Sequence, residues 1–306
     1  ADAHNAKGRF SGLFHQQPQS HRMSANQHPI GVFDSGIGGL SVLQSLLTAL
    51  PHERFVYLAD NGHAPYGEKT DLFVRQRSHA IAQHLIEQHH IKALVVACNT
   101  ATAAAIHELR HQYPHLVLIG VEPALKPAAQ STRTGRVGVM ATRGTVGSEK
   151  FARLLDSLDA TTRFEVKACN GLALAIEQST LPAHAQEAQE QVSRLLEQYV
   201  NELGAFGTAP GQMDTLVLGC THYVFAQDEL QQLLGPDVHI ISTGEAVARQ
   251  TYRLLEAAGL LNPKAAPAHA HGRVSLYTTG DLSGLKAAAA RWLALPASDC
   301  HLATSI

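Results

Sequence analysis

From residue 29 onward the chain alternates short apolar or β-branched runs with stretches whose apolar residues recur every three to four positions. The runs are "PIGVFD" (29–34), "RFVYLAD" (54–60), "KALVVAC" (92–98), "LVLIGVE" (116–122), "RVGVMAT" (136–142), "RFEVKAC" (163–169), "DTLVLGC" (214–220) and "VHIIST" (238–243). Between them lie "GLSVLQSLLTAL", "DLFVRQRSHAIAQHLIEQH", "ATAAAIHELRHQY" and "AQEAQEQVSRLLEQYVNEL", which have helical spacing. Strand alternating with helix predicts an α/β fold with mostly parallel sheets flanked by helices. The strands are apolar throughout, as expected when both faces of a sheet are covered. Residues 1–28 are rich in His, Gln, Ser and Asn, lack such a pattern and are expected to form a disordered tail.

Ligands in open α/β sheets bind beyond the carboxyl ends of the strands. The residues placed there are Asp34-Ser35, Asp60-Asn61, Cys98-Asn99-Thr100, Glu122, Thr142 and Cys220-Thr221-His222. This polar rim is rich in acids and thiols, and the helices that start beside it offer free N–H groups to a small anion. The glycine loop "DSGIGGLSV" (34–42) lacks both the G-x-G-x-x-G spacing and a Walker Lys-Ser/Thr. It reads as a tight strand-to-helix turn that leaves Asp34 and Ser35 at the rim.

Composition narrows the partners. The chain has 306 residues and a net charge of −2, with no sustained Lys/Arg block, which argues against nucleic acid. No apolar stretch approaches the roughly 20 residues that span a bilayer, so no membrane partner is expected and the cytoplasm is the expected compartment. Four scattered cysteines, Cys98, Cys169, Cys220 and Cys300, are too few for a disulfide scaffold at this length and are expected to be free thiols.

Read singly, each cysteine is a small buried hydrophobe. "LVVACNTAT" and "LVLGCTHYV" change that reading, because both carry the run apolar, small, Cys, polar at equivalent places in two α/β units. Cys169 copies the triplet "ACN" without a following Thr or His and is assigned to packing, and Cys300 has no polar constellation around it. A metal is disfavoured, since Cys220-x-His222 lacks the two closely spaced pairs of zinc patterns and the 19 histidines are spread along the chain. A single nucleophilic cysteine would leave the other thiol idle. Inverting a carbon acid requires a base on one face and a proton donor on the other. Two opposed thiols meet that need, with Asp34 beside one and His222 beside the other.

Five stretches in order, "GVFDSGIGGLSVL", "YLADNGHAPYGEKT", "VVACNTATAAAI", "GVEPALKPA" and "VLGCTHY", resemble the glutamate racemases of the cofactor-independent aspartate/glutamate racemase family, from about Ile30 to Thr243. The resemblance implies interconversion of L- and D-glutamate without pyridoxal phosphate, metal or any other cofactor, supplying D-glutamate for peptidoglycan. It places the two bases on Cys98 and Cys220, assisted by Asp34 and His222. It puts Ser35, Tyr66, Gly67, Asn99, Thr100 and Thr221 at the substrate, together with Glu177 in "GLALAIEQ", an acidic position lining the family's cleft. It implies two similar domains, 29–123 plus 236–306 and 124–235, with the active site in the cleft between them. Departures are mild: Val224 follows "CTHY", and Phe151 stands where tyrosine is common. Residues 1–28 and 261–274 lie outside the resemblance. An aspartate or other amino-acid racemase, and a non-catalytic binding protein on the same scaffold, are the alternatives. A homodimer is admitted as an assembly, with no arrangement legible.

Overall fold

The computed structural model describes residues 25–158, 160–181, 184–263, 273–303 and 306. In chain order the strands are β1 (Ile30–Asp34), β2 (Phe55–Ala59), β3 (Ala93–Val96), β4 (Val117–Gly120), β5 (Arg136–Ala141), β6 (Arg163–Ala168), β7 (Thr215–Gly219), β8 (His239–Ile241), β9 (Val274–Thr278) and β10 (Cys300–Leu302). The helices are α1 (Leu40–Ala49), α2 (Asp71–His89), α3 (Asn99–Gln112), α4 (Leu125–Ser131), α5 (Arg143–Val146), α6 (Glu149–Asp156), α7 (Leu172–Gln178), α8 (Ala185–Leu203), α9 (Gln227–Leu234), α10 (Gly244–Ala257) and α11 (Leu282–Leu293). The strands form one sheet in the order β10-β9-β2-β1-β3-β4 and another in the order β6-β5-β7-β8, and every pairing is parallel. The expected class, α/β with parallel sheets flanked by helices, is the observed one.

Alternate residues of a strand point to opposite faces, and the cores follow that rule. Ile30, Val32, Phe55, Tyr57 and Val95 pack with Leu43 and Leu46 of α1, Leu255 of α10 and Leu285 of α11. Phe33, Val56, Leu58, Leu94 and Val96 pack on the other face with Ile81 and Leu85 of α2 and Ile106 of α3. The second sheet is covered likewise, by α7, α8 and α9 on the Leu216 and Leu218 side and by α4 and α6 on the Val137 and Val217 side. Each fully buried Leu, Val or Phe contributes about 1.5–3 kcal/mol, which is why these core positions are apolar, the buried Asp34 standing only at the very end of β1.

The strand orders place the functional ends. After β1 the chain steps to β2 on one side, then crosses to β3 on the other, so the first sheet reverses direction between β1 and β3. The second sheet reverses between β5 and β7 in the same way. A crevice opens where the order reverses. Asp34 and Cys98 emerge at the first such point, Thr142 and Cys220 at the second.

Three features depart from the sequence reading. Residues 1–24 of the expected tail lie outside the described residues, but Ala25–Gln27 form a short turn, and the Asn26 carbonyl accepts from Lys92 Nζ at 2.6 Å. Strand β8 pairs with β7, so by sheet membership the second unit continues through Ile241, and we propose that the chain returns to the first at α10 rather than at 236. Strands β9 and β10, which no apolar run in the sequence marks, extend the first sheet beyond β2, with Cys300 buried in its core as a packing residue.

Candidate active site

The first wall of the cleft is built by the turn after β1. Asp34 is fully buried, and its Oδ2 accepts the Gly39 N–H at 2.5 Å, which folds the glycine loop back on the carboxylate. Tyr57 Oη donates to the Gly36 carbonyl at 2.5 Å and supports the loop from below. A Cβ at Gly39 would lie 2.6 Å from the Asp34 Cβ, so the tight turn requires glycine there. The Ile37 N–H is also committed, to Glu177 at 3.0 Å. The loop is therefore the turn expected from its spacing.

Cys98 caps α3: its Sγ accepts the Ala101 N–H at 3.5 Å, and the thiol faces Ser35 Oγ at 3.8 Å. A helix N-terminus favours a thiolate, but two effects oppose it. Burial, and next the Asp34 charge, push the Cys98 thiol well above its ordinary value. Burial also raises the Asp34 carboxyl, against the lowering effect of His222. This side of the cleft favours protons on its acids.

The second wall is the 3-10 run Thr221–Ala226, which follows Cys220 at the end of β7. Cys220 Sγ lies 3.9 Å from His222 Nδ1, and His222 Nε2 lies 2.6 Å from Glu177 Oε2. Burial works against a charged His222, but the bonds to Cys220 and Glu177 prevail and hold the imidazole well above its ordinary range. An imidazolium donates through both nitrogens, one toward sulfur and one toward carboxylate. The two walls also touch: Thr221 Oγ1 donates to Asp34 Oδ2 at 3.2 Å, and Ser41 Oγ donates to the Thr221 carbonyl at 3.2 Å.

Glu177 sits at the end of α7 with His222, Ile37 N–H and the Asn61 side-chain amide all on its carboxylate. The protein's own groups occupy it, so it faces His222 instead of standing free in the cleft. On the opposite rim, Thr100 Oγ1 lies 3.0 Å from Thr142 Oγ1, and Thr142 Oγ1 donates to Thr145 Oγ1 at 2.9 Å. Gly67 is pressed against this cluster, since a Cβ there would lie 2.5 Å from the Thr142 Cβ. The turn that holds Tyr66 and Gly67 is tied across by Arg143 Nη2 to the Glu68 carbonyl at 3.2 Å and by Gly171 N–H to Glu68 Oε1 at 3.1 Å.

Among the described residues, Asp34 Oδ1 and both amide atoms of Asn99 are buried without a hydrogen-bond partner. Unpaired buried polar atoms are costly, and these belong to the residue that ends β1 and to the one that follows Cys98. Cys98, Cys220 and His222 are 5%, 7% and 4% exposed, so all three side chains are buried. A more open cavity of about 450 Å³ lies on the outer side of α3, against Arg75, His107 and Lys150, and does not reach the thiols. Glu122, expected at the rim, faces that outer cavity and pairs with Lys150. Thr145, bonded to Thr142, and Arg77, bonded to Asp60, carry no local sequence signal. Cys169 is buried with its thiol toward the Lys167 carbonyl at 3.6 Å, a packing role.

No group of three or more His, Cys, Asp or Glu side chains among the described residues is arranged to hold a metal ion. No helix of the described residues is long and apolar enough to cross a membrane. Comparison with known proteins adds a family. Residues 30–251 match the model of the Asp/Glu/Hydantoin racemase family. A glutamate racemase of Ectopseudomonas mendocina is 47% identical over 265 residues, covering 87% of this chain and 94% of the relative. The crystal structure of a glutamate racemase isoform from Bacillus anthracis superposes with a TM-score of 0.77 at 32% identity, covering 92% of this chain and 98% of that one. The Escherichia coli glutamate racemase, solved with L-glutamate and the activator UDP-MurNAc-ala, gives a TM-score of 0.72 at 32% identity, covering 87% of this chain and 95% of that one.

Proposed function

We propose, from the premise that this chain belongs to the Asp/Glu/hydantoin racemase family, that it is a glutamate racemase, interconverting L- and D-glutamate by proton transfer between two cysteines. The observation that carries this reading is the position of Cys98 and Cys220 at the reversal points of the two sheets, near enough for one thiol to act on the other's charge and each beside a group that can exchange a proton with it. The α-proton of glutamate is removed by the thiolate on one face, and the thiol on the other delivers a proton to the opposite face. Cys220 lies against His222, which can take up and return its proton, and Cys98, pushed up by burial and by Asp34, is poised as thiol. For the reverse direction Cys98 passes its proton to Asp34, whose raised affinity for protons suits it as acceptor, and His222 returns one to Cys220. Every proton step falls to a side chain of this chain.

Ser35, Asn99, Thr100 and Thr221 hold the substrate carboxylates, helped by N–H groups at the α3 start and around Tyr66 and Gly67. Glu177 acts on His222, keeping it charged and oriented, and not on the substrate. The product supplies D-glutamate to peptidoglycan, as the family resemblance implies. A cytoplasmic site of action and a homodimeric assembly belong to the same proposal.

The test is purified protein with L-glutamate and no added cofactor, followed by circular dichroism, for the wild type and for Cys98→Ser and Cys220→Ser. Racemisation by the wild type and its collapse in both directions in each variant are expected, because a serine hydroxyl is too weak an acid to replace a thiol. Turnover of aspartate alone would shift the assignment to the related racemase. No turnover of any amino acid would favour a binding protein on this scaffold.

A further inference from the structure

Asp60 lies at the rim beside Asp34, and its backbone N–H donates to the Asp34 carbonyl at 3.0 Å, yet its side chain does not face the cleft. It is fully buried, and its carboxylate is saturated by protein donors. Arg77 grips it with two parallel bonds, Nε to Oδ2 at 2.9 Å and Nη2 to Oδ1 at 2.8 Å. Tyr66 Oη donates to Oδ2 at 2.5 Å, Thr279 Oγ1 donates to Oδ1 at 2.7 Å, and His63 Nδ1 lies 3.0 Å from Oδ1. A carboxylate offers about four lone-pair sites. Five contacts leave none for a substrate or for a proton in transit.

Two consequences follow for the cleft. The Tyr66 hydroxyl is spent on Asp60 and the Tyr66 side chain is fully buried, so this residue meets a substrate only through its backbone. The position of that backbone, and of Gly67 against Thr142, is fixed by where Asp60 holds the ring. The neighbouring Asn61 reaches Glu177, and its Oδ1 accepts from Thr278 Oγ1 at 3.0 Å, so the same short segment also supports the His222 side. Arg77 comes from α2 and Thr279 follows β9, so the node joins elements that are distant in sequence.

Resting on the racemase reading above, we infer that Arg77 is a positioning residue for the substrate cradle, acting through Asp60 on Tyr66 and Gly67. A bidentate guanidinium fixes a carboxylate in direction as well as in distance, which a lysine at the same place does not. Loosening the fork lets the Tyr66–Gly67 backbone move away from the substrate while both thiols and their partners keep their places. The effect therefore appears in substrate binding and not in the chemical step.

The test is a double-mutant cycle on glutamate racemisation with wild type, Arg77→Lys, Tyr66→Phe and the double variant. Each single variant is expected to raise KM about tenfold with kcat within about twofold. The double variant is expected to be no worse than the weaker single, because both act on one node. Unchanged KM in Arg77→Lys, a fall in kcat at constant KM, or additive losses in the double variant would each overturn the inference. Should Arg77→Lys fail to hold its fold by thermal melting, Thr279→Val removes another donor from Asp60 and takes its place in the cycle. A wild-type chain that racemises no amino acid would overturn the site reading and this inference with it. A wild type that racemises while KM stays put would overturn the inference alone.

Discussion

Glu177 Oε2 and His222 Nε2 lie 2.6 Å apart, and the other ring nitrogen of His222 lies 3.9 Å from the Cys220 sulfur. Carboxylate, imidazole and thiol form a line that ends at the cleft, and the carboxylate stabilises the cationic ring. Glu177 also accepts the Ile37 N–H of the opposite wall at 3.0 Å. One side chain thus bonds both the imidazole beside Cys220 and the backbone of the opposite wall.

Replacing Glu177 with Gln removes the charge and keeps the shape. We expect kcat to fall by about 10- to 100-fold, less than for loss of either thiol. The pH dependence gives the sharper readout. His222 is held above its ordinary range with the help of Glu177, so its imidazolium is lost at lower pH in the variant, and the alkaline limb of the kcat profile moves down. Linkage has the same sign: the stability His222 contributes is fully present below its unfolded pKa of about 6.5 and is lost as pH rises through the folded value. Melting curves between neutral and alkaline pH should therefore fall less steeply in the variant. An unchanged limb would separate Glu177 from His222.

Gly38→Ala probes the same line from the other side. An added Cβ would stand 2.2 Å from His222 Nδ1 and 2.6 Å from Thr221 Oγ1. Glu177 prevents the ring from retreating, and Gly38 does not have the positive φ that would strain an alanine backbone. The collision therefore falls on the catalytic line and not on the fold. We expect turnover to drop by about two orders of magnitude or more, with the melting temperature changed by only a few degrees. Normal turnover would mean that His222 has freedom to move.

Asp60 predicts an acid limb of stability. Burial opposes its ionised form, but the bonds from Arg77, Tyr66 and Thr279 hold its carboxyl below the usual range. A depressed folded pKa gives stability that is present above the unfolded value of about 3.9 and is lost as pH falls through the folded one. Asp60→Asn should be less stable near neutrality and show a flatter decline of melting temperature below about pH 4. Parallel acid limbs in the two proteins would remove Asp60 from this role.

Much of this architecture is legible in the sequence where local pattern decides it. The periodic stretches at 71–89 and 185–203 coincide with α2 and α8, and eight apolar runs contain β1 to β8. The thiols stand out because each ends an apolar run that a covered parallel strand requires. What pattern does not carry is the partner of a side chain. Glu177 and Ile37 are 140 residues apart, and Thr221 and Asp34 are 187 apart, so no spacing rule connects them. Arg77 lies in a helix and reads as a solvated charge until the fold brings Asp60 to it. Strand β10 has three residues at a sheet edge, too short to show a period, and β9 follows a stretch without one.

The two-thiol assignment is tested most directly by racemising L-glutamate in D2O and measuring deuterium in both enantiomers, separated at low conversion, by mass spectrometry. If Cys98 and Cys220 flank the α-carbon, the delivered proton comes from a thiol that exchanges with solvent. The D-glutamate formed should then carry one deuterium. The remaining L-glutamate should stay unlabelled early on, because its reprotonation returns the proton just taken by the same thiol. A single base working on both faces would return some of the original proton to the product. Substantial unlabelled D-glutamate at low conversion would contradict the two-thiol account, even if both cysteines proved essential.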